Sequence, residues 1–117
     1  MSLPRVLLRL EGAALLTVAV FLYARSDASW LLFALLLLAP DVGMVGYLRG
    51  SRAGAVLYDL FHTSLLPAGL AVIGVVADSR SAVAVALIWL AHIGMDRALG
   101  FGLKYPTGFR DTHLGRV

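Results

Sequence analysis

The chain is 117 residues long, enough for one domain, and 60% of it is hydrophobic against 15% charged, where soluble domains run at roughly 45–50% apolar. A mean hydropathy of +0.86 excludes an ordinary water-soluble core, and the lack of cysteine excludes a disulfide framework, a thiolate zinc site and a cysteine nucleophile. The net charge of +3 would suit nucleic acid, but the basic residues fall at the ends of apolar stretches, where membrane orientation explains them better, so no nucleic-acid partner is expected.

Four apolar stretches of spanning length follow one another, at residues 3–24, 30–48, 54–77 and 82–103. The first carries Glu11 and has no small-x-small cleavage site before Ser26, so it reads as a retained span and not a signal peptide. The second contains a leucine run from Leu35 to Leu38, then Pro40, Asp41 and Tyr47. The third brings Tyr58, Asp59 and His62 ahead of Pro67, and the fourth brings Trp89, His92, Asp96 and Arg97. Breaks rich in charge, Gly or Ser separate the spans and are short enough to force antiparallel neighbours. Residues 104–117 form a polar tail with Pro106 and no helical period, expected to fold back under the bundle.

These elements predict an all-α fold: a four-transmembrane-helix antiparallel bundle, a single integral membrane domain over residues 1–117 with a short C-terminal cytoplasmic tail. Arg5, Arg9, Arg49, Arg52, Arg97, Lys104, Arg110 and Arg116 lie on the side that holds both termini, against Arg25 and Arg80 on the other. The positive-inside rule then places both termini in the cytoplasm. The expected location is a bacterial inner membrane, multi-pass.

Ionisable residues inside the spans carry the functional reading. Each costs at least about 2.5–3.5 kcal/mol near a helix centre, so it needs a partner or a role. Glu11, Asp41, Asp59, His62, His92 and Asp96 all fall in the cytoplasmic half when depth is counted from the helix ends. Asp59 and His62 are three apart and His92 and Asp96 four apart, so each pair shares a helix face. The layout resembles carboxylate bundles that bind two metals, and imidazole with carboxylate suits zinc, iron or manganese. His62, His92 and Asp59 are the candidate metal ligands. Glu11, Asp41 and Asp96 are the candidate catalytic acids, which without a metal would work with a histidine in acid/base chemistry. Tyr47, Arg97 and Lys104 are candidates for holding a substrate with an anionic head group. The opposing reading is that Arg9 and Arg97 neutralise the acids near the interface, with no site at all.

Several strings carry a family resemblance. Leu37-Leu38-Ala39-Pro40-Asp41 with Gly46-Tyr47, Tyr58-Asp59-Leu60-Phe61-His62-Thr63, and Trp89-Leu90-Ala91-His92-Ile93-Gly94-Met95-Asp96-Arg97 run with the tail motif from Gly102 to Gly115. Together they resemble the bacterial membrane family catalogued as domain of unknown function 4260, over nearly the whole chain. The resemblance implies a small membrane protein and assigns no chemistry.

The residues support two expectations. One is a membrane-embedded enzyme that uses a divalent metal or acid/base chemistry on a lipid-like or isoprenoid-like substrate. The other is a proton- or cation-binding transporter or channel subunit acting as a homo-oligomer; it ranks second because the outer half of the spans is nearly all apolar. Membrane lipid and an amphipathic small molecule are the expected partners.

Overall fold

A computed structural model describes residues 2–41, 48–103 and 112–116. Its helices are α1 (Leu3–Ala24), α2 (Trp30–Leu36), α3 (Ser51–His62), α4 (Leu65–Val76), α5 (Arg80–Leu99) and α6 (His113–Arg116). There is no strand among the described residues. Three helical stretches, Leu3–Ala24, Ser51–Val76 across the α3–α4 junction, and Arg80–Leu99, are long and apolar enough to cross a membrane. The stretch Trp30–Asp41 is apolar but shorter.

Helix α5 is the axis of the molecule. It buries Ala84, Ala86, Leu87, Ile88, Ala91, His92, Ile93, Gly94 and Asp96, and α1, α4 and α2 all pack on it. Helix α1 runs antiparallel to it. Tyr23, near the end of α1, packs with Ala84, Leu87 and Ile88 in the first half of α5, while Gly12 meets the backbone at Arg97 and Ala98 near its end. The approach is backbone to backbone: a Cβ on Gly94 would lie 2.5 Å from the Leu16 nitrogen and 2.7 Å from the Gly12 carbonyl oxygen. Small residues at such a crossing let dispersion contacts hold helices together where lipid removes the hydrophobic drive. Glu11, beside Gly12, is consequently turned outward and exposed.

The outer surface matches that environment. Leu31, Leu35, Leu65, Val72, Ile73, Val75 and Val76 are all more than 60% exposed, and apolar faces of this extent find their complement in hydrocarbon.

Two prolines shape the elements that carry the site. Proline removes an N–H, and its ring clashes with the carbonyl four residues back. Helix α2 ends at Leu36, four residues before Pro40, and the chain tightens so that the Asp41 N–H bonds the Leu38 carbonyl at 3.0 Å. Helix α3 ends at His62, with Thr63 extended (ψ 141°) four residues before Pro67. Pro67 itself sits in the first turn of α4, where its missing N–H would have had no intrahelical partner. The apolar run at 54–77 is therefore one span by composition and two helices by backbone.

Helix α5 begins at an N-cap, the Ser79 hydroxyl accepting from the Ala82 N–H. It stops at Gly100, whose φ of +98° reverses the chain. The helix thus ends at Leu99, short of position 103. The Gly100 and Phe101 N–H groups return to the Arg97 and Asp96 carbonyls, and the Arg9 guanidinium caps the Ala98 carbonyl at 2.9 Å. Beneath it, the Leu103 N–H donates to His113 Nδ1 at 2.7 Å while the His113 N–H donates to the Leu103 carbonyl at 2.8 Å. Arg5 holds the Leu114 carbonyl at 3.0 Å. The tail segment 112–116 is thereby docked on the ends of α1 and α5.

Candidate metal centre

Asp41, His62, His92 and Asp96 converge. They come from the turn that follows α2, the end of α3 and two successive turns of α5, and one ligand atom of each lies within 4.8 Å of all the others. His62 Nε2 is 3.1 Å from Asp41 Oδ1, 3.3 Å from Asp96 Oδ2 and 3.1 Å from His92 Nε2. His92 Nε2 is 3.3 Å from Asp41 Oδ1 and 3.1 Å from Asp96 Oδ2. Tetrahedral ligands at zinc distances stand about 3.3–3.4 Å apart, so these five separations are close to the edges of a coordination polyhedron.

The protonation of His62 sharpens the point. Its Nδ1 lies 2.9 Å from the Tyr58 carbonyl oxygen, which can only accept, so Nδ1 carries the proton. In the neutral ring Nε2 then presents a lone pair to two carboxylate oxygens and a second imidazole nitrogen. Electron pairs gathered in this way need positive charge between them, as a proton or a cation. Fixing one ring nitrogen on a backbone carbonyl so that the other faces a metal is the usual outer-shell arrangement of a ligating histidine. Tyr58 also stacks on the His62 ring, with centroids 3.7 Å apart and planes within 7°.

Burial grades across the four. The His62 and His92 side chains are 0% and 1% exposed and Asp96 is 11%, whereas Asp41 is 38% exposed. Three of the four side chains are thus buried or nearly so, and Asp41 is the partly exposed one. His92 Nδ1 is buried and makes no hydrogen bond of ordinary geometry, the Leu37 carbonyl being the backbone group that stands near the ring.

The break between α3 and α4 supplies the frame. The Phe61 and His62 carbonyls lose the N–H groups that a continuous helix would offer them, and in hydrocarbon each unsatisfied group costs several kcal/mol. Helix α5 provides the replacements: Trp89 Nε1 donates to the Phe61 carbonyl at 2.6 Å and Arg97 Nη2 to the His62 carbonyl at 2.9 Å. A second Arg97 nitrogen, Nη1, donates to the Phe101 carbonyl at 3.1 Å. The ligand-bearing end of α3 is thus pinned to the helix that carries the other histidine.

Of the nine residues singled out from the sequence, the structure brings Asp41, His62, His92 and Asp96 together. Asp59 is half-buried one turn before His62 and outside this group of four, and Glu11 is exposed on α1. Arg97 is beside the centre, directed at carbonyl groups. Tyr47 and Lys104 lie outside the described residues. The sequence allows Tyr58 and Trp89 a pocket-lining role at most, with an interfacial or core role preferred for both; a donor-bearing aromatic three residues before His92 was the available signal for the carbonyl-capping part that Trp89 plays.

A family model described as a domain of unknown function (DUF4260) matches residues 5–117. The chain belongs to this family. All four converging residues and both carbonyl-capping residues of α5 fall within the matched part of the DUF4260 chain. No curated protein and no solved structure matches it.

Proposed function

We propose that the chain is a membrane-embedded metalloenzyme that holds one divalent cation between Asp41, His62, His92 and Asp96. The observation that carries this reading is the convergence of two imidazole nitrogens and two carboxylate oxygens at coordination-edge spacing inside an apolar helical protein. Charge balance supports it. Two carboxylates and two neutral imidazoles sum to −2, which a divalent cation cancels, and a neutral centre is what a low-dielectric interior tolerates. Imidazole with carboxylate selects zinc, iron or manganese over calcium or magnesium.

The wider arrangement in this reading is a four-span antiparallel bundle in the cell membrane, both termini cytoplasmic, with the centre in the cytoplasmic half. The excess of Lys and Arg on that side supports it. The substrate is lipid-like or isoprenoid-like. Held by these residues, a divalent cation would supply Lewis acidity toward a water, and Asp41, the most exposed of the four, is the ligand on whose side such a water would enter.

One observation favours the alternative of a cation-binding transporter subunit: a broken helix beside a buried ionisable cluster is how many transporters build their sites. The burial of three of the four side chains supports a one-sided pocket over a path.

Metal analysis of detergent-purified protein separates these readings. One cation per chain, lost in both His62→Ala and His92→Ala, is the expected result. Metal retained in both variants, or metal-free protein that conducts protons or cations across liposomes, would overturn it.

A further inference from the structure

The chain that leaves α5 is tied at one end to the centre and at the other to the tail. Phe101 has both backbone groups engaged: its N–H donates to the Asp96 carbonyl at 2.7 Å, and its carbonyl accepts from Arg97 Nη1 at 3.1 Å. Asp96 is one of the four converging residues, and the other Arg97 nitrogen, Nη2, holds the carbonyl of a second, His62, at 2.9 Å. Two residues further on, Leu103 has both of its backbone groups engaged by His113, at 2.7 Å through the ring and 2.8 Å through the main chain. Only Gly102 lies between them.

The tail is seated well enough to serve as a fixed point. Leu114 is 1% exposed, and Arg5 holds its carbonyl from α1 at 3.0 Å. The His113 ring lies against Gly102, where a Cβ would come within 2.6 Å of Nδ1 and 2.9 Å of the Leu114 nitrogen. A guanidinium is a rigid planar fork, so Arg97 serves two carbonyls at once only while both are in place. Releasing Leu103 leaves the Phe101 carbonyl anchored from one side only. Arg97 can then turn away, and the His62 carbonyl loses its fixed partner. A cation held between His62 and Asp96 acts on the same geometry from the opposite end, because it fixes both residues.

We propose that the docked segment 112–116 positions the metal centre, acting through Leu103, Phe101 and Arg97 on His62. His113 and Leu114 are then positioning residues. The inference rests on the metalloenzyme reading, since the cation is what the positioned residues bind. Coupling between two equilibria is reciprocal, so docking raises metal affinity by the same factor by which metal favours docking. That factor is expected to be about tenfold, within the roughly 5–150-fold that such couplings span.

Both directions are measured on the full-length protein in detergent. Gly102→Ala and Leu114→Asp release the tail by different routes, a Cβ under the His113 ring and a charge in an apolar seat. Hydrogen exchange at the Leu103 and His113 amides reports the release. Zinc affinity by chelator competition is expected to fall about tenfold in both variants, and zinc is expected to slow exchange of the two amides in the unaltered chain by a like factor. In an Arg97→Lys background, which keeps the charge and removes the fork, neither substitution should lower affinity further. Unchanged affinity in a variant whose tail is released, whatever its thermal midpoint, would overturn the proposal. So would exchange indifferent to zinc, a full tenfold loss in the Arg97→Lys background, or a tail that stays protected in both variants. A protein that takes up no zinc, iron or manganese would remove the metalloenzyme reading along with this one; metal bound equally by docked and released forms would remove only the coupling.

Discussion

His62 and His92 are both ligand candidates, yet they are held differently, and the two carboxylates differ as well. Asp96 is 11% exposed and sits one turn from His92 on a rigid helix, while Asp41 is 38% exposed at the end of a tightened turn. A buried ligand cannot be replaced by solvent, whereas an exposed one can be replaced by water. Asp96→Asn should therefore weaken metal affinity by at least about 100-fold and Asp41→Asn by about 10-fold, the range spanned by losing supporting groups at metal sites. Competition against a zinc chelator measures both, and equal losses would show that burial does not grade the four. The His92 and Asp96 pairing was legible from sequence because a spacing of four on an unbroken helix fixes a shared face. The same rule paired Asp59 with His62. It could not show that α3 stops at His62 and that Asp41, delivered by the turn at Pro40, would be the partner instead.

At the scale of elements, apolar length revealed the helices but not their interruptions. The run at 54–77 is apolar apart from a polar patch between Tyr58 and Ser64, and the Pro67 ring, which would clash with the Thr63 carbonyl of a continuous helix, accounts for its division. That break has a cost met from outside the helix, by Trp89 and Arg97. Trp89→Phe keeps the ring and deletes the donor, leaving the Phe61 carbonyl unsatisfied at about 1–3 kcal/mol. Thermal unfolding in detergent should show a lower midpoint, with metal affinity reduced in step because the end of α3 is no longer pinned. Pro67→Ala acts in the opposite sense. It lets α3 run on into α4, withdraws the His62 carbonyl from Arg97, and should lower metal affinity by about 10-fold with helix content by circular dichroism equal or higher. Unchanged affinity in both variants would show that the break does not set the position of His62.

For the whole molecule, helical class and membrane character followed from composition, and Gly94 with Ala91 and Ala98 read as a close-packing helix surface, but its partner at Gly12 did not, because small residues in spans are too common to single out one contact. Docking of the tail was expected only in outline, and its chemistry depends on a proton. His113 Nδ1 accepts from the Leu103 N–H, so the docked form needs that nitrogen unprotonated. Burial, and after it the charge of Arg97, holds the His113 pKa below its ordinary 6.5. A histidine whose pKa is lower in the docked form than in the released form favours docking fully above 6.5 and loses that contribution as pH falls through the depressed value, by up to about tenfold in the docking equilibrium for each pH unit. Amide hydrogen exchange at Leu103 and His113, corrected for intrinsic rate, should show protection at pH 7.5 that is reduced at pH 5. His113→Gln retains an acceptor for the Leu103 N–H but has no titrating ring, so its protection should be the same at both pH values. A pH dependence that persists in that variant would assign the release to another group and leave the tail without a proton switch.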